Sequence, residues 1–246
     1  MHAKQDKPKS APAALVTGGA KRIGRSIALA LAREGLDIAL HYNASAADAQ
    51  KLAGEIRALG RECHLFRCDL SDMDQVFSLP QRVFEVLPGW NVLINSASVF
   101  ERASLAETTE VHFDRTFDIN FKTPFFLARD FAARCENGLV VNLLDTKISQ
   151  NFTEYFVYSL TKKTLANFTE MAAKALAPRV RVNGVCPGLI LPPPGQGPEY
   201  LEKLSSRVPM RRPGTPEAVA DAVVYFLRND YVTGQILYVD GGEHLT

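Results

Sequence analysis

Seven short apolar runs, spaced by helical periodicity and Gly/Pro breaks, limit most strongly how this chain can fold. In order they are AALVT from Ala13, LDIALHYN, ECHLFRC, WNVLIN, LVVNLLD, VRVNGVCPG and QILYVDGG. Runs this short and this evenly apolar read as strands covered on both faces, and the helices between them provide the cover. The pattern predicts one α/β domain: a doubly wound parallel sheet of about seven strands with helices on both faces. A chain of 246 residues suits a single domain of that kind. No internal repeat or domain boundary interrupts residues 13–246.

Helices are expected at 46–59, ended by Gly60, and at 73–87, closed by Pro88-Gly89. A long helix over 111–135 carries Asn120 and Pro124, and the Pro should bend it. Beyond Pro187-Gly188 the composition turns to Pro and Gly (Pro192, Pro193, Pro194, Gly195, Gly197, Pro198), and helices are expected from about 199 and from near Pro216. The segment 189–213 rises from a strand's C-terminal end and is placed to serve as a substrate lid. Residues 1–12, MHAKQDKPKSAP, read as a disordered basic tail; they lack the apolar core of a secretory signal.

Charge balance narrows the partners. With 28 basic against 27 acidic residues the net charge is +1, which gives no reason to expect nucleic acid or a membrane surface. No apolar run approaches the roughly 20 residues that span a bilayer. Cys63, Cys68, Cys135 and Cys186 form no CxxC pair and no metal-ligand spacing, so reduced thiols in a cytoplasmic protein are expected, with no metal. Cys63 and Cys68 should fall on opposite faces of their strand.

After the first strand, Gly18-Gly19-Ala20-Lys21-Arg22-Ile23-Gly24 leads into a helical stretch. Strand, Gly-rich turn and helix start are the parts of a dinucleotide site, where backbone amides and a helix N-terminus meet a pyrophosphate. The spacing departs from G-x-G-x-x-G. The second strand ends without the acid that would bond the adenosine ribose; His41, Asn43 and Ser45 can instead donate to a 2′-phosphate, with Arg22 within reach. That favours NADP(H) over the simpler reading that His41 and Asn43 merely cap a strand end.

The chemistry is expected between Asp145 and Lys162, DTKISQNFTEYFVYSLTK. Tyr158 and Lys162 are four residues apart on one helix and so share a face. An ammonium beside a phenol should lower the phenol's pKa and yield an acid/base group for neutral pH. Asp145 follows a buried strand at the edge where α/β sheets place ligands, and Phe100 lies just past another strand, as core or as a stacking surface.

Together these features resemble the short-chain dehydrogenase/reductase family over about residues 13–243: TGG…IG at 17–24, CDL at 68–70, NSAS at 95–98, Asn120, Tyr158-x-x-x-Lys162, RVNGVCPG at 181–188 and TGQILYVDGG at 233–242. The resemblance implies a Rossmann fold and a homotetramer. It implies Tyr158 as acid/base, Lys162 as its modulator and ribose ligand, and Asn120 as anchor of a water relay to that Lys. Asp69 would hold the adenine, and Gly18, Lys21, Ile23, Gly24, Leu70, Asn95, Ser96, Ala97, Pro187 and Gly188 would line the cofactor. Arg22 replaces the usual third Gly and Asp145 the usual Ser; with HYN at 41–43 and Phe100, these departures are similar to the pteridine reductase branch. There the pterin ring lies between nicotinamide and the Phe, Arg22 and Ser98 contact phosphate or pterin, and Asp145 with Tyr158 handles protons. Ala44 replaces an Arg of the parasite members of that branch.

An ionised Asp145 would repel a developing alkoxide, so it disfavours ordinary ketone reduction and suits protonation of a ring nitrogen. The expected activity is NADPH-dependent reduction of a dihydropterin or dihydrofolate. A 3-oxoacyl-thioester or other carbonyl reductase is the alternative, and an NADP(H)-sensing protein without turnover a third.

Overall fold

The computed structural model describes residues 10–193 and 195–246. Seven parallel strands form one sheet in the order β3-β2-β1-β4-β5-β6-β7. They are β1 Ala13–Val16, β2 Asp37–Tyr42, β3 Cys63–Arg67, β4 Trp90–Asn95, β5 Gly138–Leu143, β6 Val180–Pro187 and β7 Ile236–Val239. The expected doubly wound, Rossmann-like sheet is therefore present. Its order turns between β1 and β4, where the loops leave in opposite directions and open a crevice at the strands' C-terminal ends.

Alternation along each strand divides the core between the two faces. Ala14, Val16, Ile38 and Leu40 pack with α1 (Arg22–Arg33), α2 (Ala46–Ala58) and α8 (Pro216–Arg228). Ala13, Leu15, Ala39 and Leu93 face α3 (Met73–Val86), α5 (Thr123–Ala132) and α6 (Phe156–Leu176). Cys63 and Cys68 fall on opposite faces, as expected, and the four cysteines are buried free thiols.

The long helix expected over 111–135 is instead three segments: α4 (Glu110–Phe117), a π-helical turn (Asp118–Lys122) and α5. Pro124 is the second residue of α5, directly after the π turn, so the break it makes in the hydrogen-bond ladder falls at the junction of the two. Order also reaches further back than the tail expected over 1–12, since the Pro12 carbonyl accepts Asp37 N–H at 2.9 Å; residues 1–9 of that tail lie outside the described residues. The segment 189–213 includes α7 (Pro198–Ser205), which buries none of its residues. The segment is rooted at both ends by Gly214 N–H on the Leu189 carbonyl (2.9 Å) and Met210 N–H on the Gly241 carbonyl (3.2 Å). Among the described residues no helix is long and apolar enough to cross a membrane.

Candidate active site

The crevice begins at the glycine turn. Gly18 has φ +61°, and a Cβ there would lie 2.9 Å from Ala97 Cα; one on Gly24 would lie 2.5 Å from the Gly18 carbonyl oxygen. Glycine is needed at both for the turn, the fourth-strand loop and α1 to approach this closely. Arg22 has φ +54°, a conformation that disfavours a side chain by roughly 1–2 kcal/mol. Its guanidinium donates to the Pro192 carbonyl at 2.8 Å, joining the glycine turn to the segment 189–213. Lys21 pairs with Asp48 at 2.9 Å. The first N–H groups of α1, near Ile23 and Gly24, have no side-chain cap and carry the partial positive charge of a helix N-terminus.

His41 corrects one expectation. It is 2% exposed and spends both ring nitrogens inside the fold: Nδ1 accepts Gly18 N–H at 2.9 Å and Nε2 lies 3.0 Å from the Cys68 carbonyl. Burial lowers its pKa to about 4. It is a neutral brace behind the turn and cannot reach a cofactor phosphate, and Gly18 N–H is spent on it. Asn43 is exposed and bonds Asp69, while Ser45 begins α2 without using its hydroxyl as a cap. Asp69 also accepts from Ser71 N–H and Oγ, which lowers its pKa. The Leu70 side chain is buried and its carbonyl accepts from Thr123, so the side chain is core rather than cofactor surface.

At the end of β4, Thr17 Oγ1 accepts the amides of Ser96 (2.9 Å) and Ala97 (3.1 Å). Asn95 donates to Asn142 at 2.8 Å, while its buried Oδ1 has no partner among the described residues. Asn120, on the π turn, accepts Val99 N–H at 2.9 Å and Ser98 Oγ at 3.1 Å, and donates to the Val99 carbonyl and Thr161. Its side chain thus ties the fourth-strand loop to α6, and the Ser98 hydroxyl donates to it. Pro187 and Gly188 close the crevice at the end of β6, with Gly188 N–H on the Val239 carbonyl at 3.1 Å.

Tyr158, Asp145 and Lys162 come together as expected, but their electrostatics differ. Tyr158 donates to Asp145 Oδ2 at 2.6 Å. Lys162 lies 5.8 Å from the Tyr158 ring centre and donates to the Leu143 carbonyl at 2.7 Å. The expected lowering of the Tyr158 pKa is reversed: burial, and then the Asp145 carboxylate, raise it well above 10, because both favour the neutral phenol. Burial lowers Lys162 to about 8.

Phe100 is 40% exposed, meets Tyr158 edge-on at 4.7 Å and stacks on Tyr155 at 4.3 Å with 8° between planes. Tyr155 therefore covers one of its faces, and the Lys147 ammonium lies over the ring at 5.7 Å. Tyr155, Thr17 and Lys147 were missed in the sequence. Thr17 ends β1 and Lys147 follows Asp145 by two, but neither has a spacing signal of its own.

A strand–glycine-turn–helix crevice with a buried Tyr/Lys pair agrees with what the comparisons find. A family model described as enoyl-(acyl carrier protein) reductase matches residues 18–244. Pteridine reductase 1 of Leishmania tarentolae is 34% identical, over 96% of this chain and 98% of its own length. The 3-oxoacyl-[acyl-carrier-protein] reductase FabG of Staphylococcus aureus is 31% identical over 96% and 100%. The crystal structure of FolM alternative dihydrofolate reductase 1 from Brucella suis in complex with NADP superposes with TM-score 0.91 at 35% identity, covering 96% of both chains. With its sheet order, its crevice and relatives along nearly its whole length, the chain belongs to the short-chain dehydrogenase/reductase family and is an enzyme of it.

Proposed function

We propose that this enzyme uses NADPH to reduce a C=N bond of a dihydropterin. The observation that carries the proposal is the 2.6 Å hydrogen bond from Tyr158 to Asp145 beside the partly exposed ring of Phe100. Ketone reduction wants hydroxyl donors around an oxyanion, and a carboxylate there opposes it. Protonation of a ring nitrogen wants an acid that can be recharged. A buried Tyr158 with a raised pKa keeps its proton until the substrate nitrogen becomes basic. Asp145, its side chain 19% exposed, is reachable by water and can return a proton to the phenol. Phe100 offers a flat apolar surface for the ring.

The close approach at Gly18 and Gly24 and the free amides of α1 fit the pyrophosphate of NADP(H). In this reading Arg22, Asn43 and Ser45 would meet a 2′-phosphate, Asp69 the adenine and Lys162 the nicotinamide ribose, with Arg22 leaving the Pro192 carbonyl and Lys162 the Leu143 carbonyl to do so. Bound NADPH supplies the hydride. The NADP complex of the FolM neighbour supports this cofactor. The pteridine reductase relative supports the substrate, and the FabG relatives favour 3-oxoacyl-thioester reduction as the second reading. A cytoplasmic homotetramer accords with the family resemblance.

The test is NADPH oxidation with dihydrobiopterin, dihydromonapterin, dihydrofolate and an acetoacetyl thioester. Turnover of a pterin is expected; turnover confined to the thioester transfers the site to carbonyl reduction.

A further inference from the structure

Asp240, in the VDGG run that follows β7, has no part in the cofactor cradle or the proton-transfer pair, but it bonds the residue next to Asp145. Its side chain is 3% exposed. Among the described residues four donors converge on its carboxylate. Gly242 N–H meets Oδ1 at 3.0 Å, while His244 N–H (2.8 Å), His244 Nδ1 (2.7 Å) and Thr146 Oγ1 (2.9 Å) meet Oδ2. Burial works to raise its pKa, but these donors outweigh burial and lower it, so Asp240 is a carboxylate at neutral pH. A Cβ on Gly188 would lie 2.5 Å from Asp240 Cβ, so glycine there lets the end of β6 pack directly against it.

Three of the four donors come from Asp240's own C-terminal turn, and the fourth, Thr146, comes from the turn that carries Asp145. Asp145 has an extended backbone (φ −158°, ψ 145°), so its side chain and that of Thr146 leave the chain in different directions. Asp145 Oδ2 reaches Tyr158 on α6, and the Thr146 hydroxyl, on a residue 4% exposed, reaches Asp240 beyond β7. We infer that Thr146 and Asp240 are positioning residues: their hydrogen bond fixes the peptide between Asp145 and Thr146 and so holds the Asp145 carboxylate where it meets Tyr158. The inference rests on the proton-transfer role given to Asp145 above. Within the 3₁₀ turn Thr146–Ser149, Lys147 N–H on Asp145 Oδ1 (2.8 Å), Ile148 N–H on the Asp145 carbonyl (3.1 Å) and Ser149 Oγ on the Thr146 carbonyl (2.8 Å) set the turn's shape. They are local to the turn and do not set its placement against α6. The bond to Asp240 does, and the Gln150 side chain ties the far end of the turn to the Thr246 carbonyl of the same C-terminal segment. A hydroxyl on an ionised acceptor makes a stronger bond than one between neutral groups, and this acceptor is locked by its own turn and withdrawn from water.

The test measures NADPH-dependent reduction of dihydrobiopterin by wild type, Thr146→Val, Thr146→Ser, Asp145→Asn and the Asp145→Asn/Thr146→Val double variant. Thr146→Val removes the hydroxyl at nearly constant shape and should lower kcat by about 10–100-fold, the cost of a misaimed group, with KM for NADPH and for the pterin unchanged. Thr146→Ser keeps the hydroxyl and should retain most of the wild-type kcat. The double variant should be no slower than Asp145→Asn alone, because Thr146 acts only through Asp145. If Thr146→Val folds poorly, Thr146→Ala removes the same hydroxyl without setting a methyl group beside the Asp240 carboxylate. Undiminished kcat in the hydroxyl-free variants overturns the inference. So does an equal loss in Thr146→Ser, which would make the effect one of packing, or a further loss in the double variant, which would place it outside Asp145. Each of these results leaves pterin reduction standing. A wild type that reduces the thioester and no pterin overturns both.

Discussion

Lys162 is 3% exposed, with its ammonium on the Leu143 carbonyl at 2.7 Å, and burial lowers its pKa from 10.5 to about 8. The unfolded chain therefore binds the proton more tightly than the folded one. At neutral pH the folded protein carries a buried charge that costs about 3 kcal/mol, and stability from this group rises as pH climbs from about 8 toward 10.5. Lys162→Met should then raise the unfolding free energy at pH 7 by about 1–3 kcal/mol, in denaturant titrations, while removing turnover. Asp145→Asn should lower kcat on dihydropterin by about 10²–10⁴-fold with NADPH affinity unchanged, since the carboxylate meets Tyr158 and not the glycine turn. Undiminished kcat in single-turnover assays would remove Asp145 from the chemistry. Both residues were legible because Tyr158 and Lys162 keep a helical spacing and Asp145 ends an apolar run. The direction of the Tyr158 pKa was not, because it depends on burial and on the Asp145 contact, which no local pattern encodes.

The glycine turn depends on an element behind it. His41 stands next to the end of β2 with its ring accepting Gly18 N–H, so the turn is braced by a neutral imidazole. With the folded pKa at about 4 against an ordinary 6.5, the unfolded chain takes up a proton first as pH falls. The stabilisation is complete above about 6.5 and is lost as pH falls through about 4. Thermal unfolding followed from pH 7 to pH 4 should therefore show a decline that His41→Asn makes shallower; parallel declines in the two proteins would free His41 of this role. From sequence, the strand end could be located and the exposed Asn43 separated from the core, but not the inward turn of His41. The π turn at Asp118–Lys122 was hidden for a related reason. Pro124 announces a break in the helix, yet how the break is accommodated depends on Asn120 binding Val99 and Thr161, residues remote in sequence.

Across the whole molecule, α4, the π turn and α5 present Phe113, Phe117, Phe121 and Phe125 at successive four-residue steps. Phe121 and Phe125 meet Phe168 of α6, at 6.1 Å and 5.1 Å between ring centres. Leu160, Phe168 and Met171 share a helical stripe on α6. Phe113, Phe125, Leu160 and Met171 are all exposed, so the two helical layers form one apolar band on the surface. A band of this kind is the ordinary mark of an association surface. The homotetramer expected from the family resemblance needs two kinds of two-fold contact if it closes with D₂ symmetry, and this band can supply one of them. Charges placed on it should therefore halve the particle rather than reduce it to single chains. Light scattering at micromolar concentration should give four chains for the wild type and two for a Phe125→Glu/Met171→Glu variant, with the melting temperature lowered because assembly stabilises the folded subunit. A wild type that scatters as one chain would refute the tetramer. A variant that still scatters as four would move the contact to another face, and the band would then need a different partner.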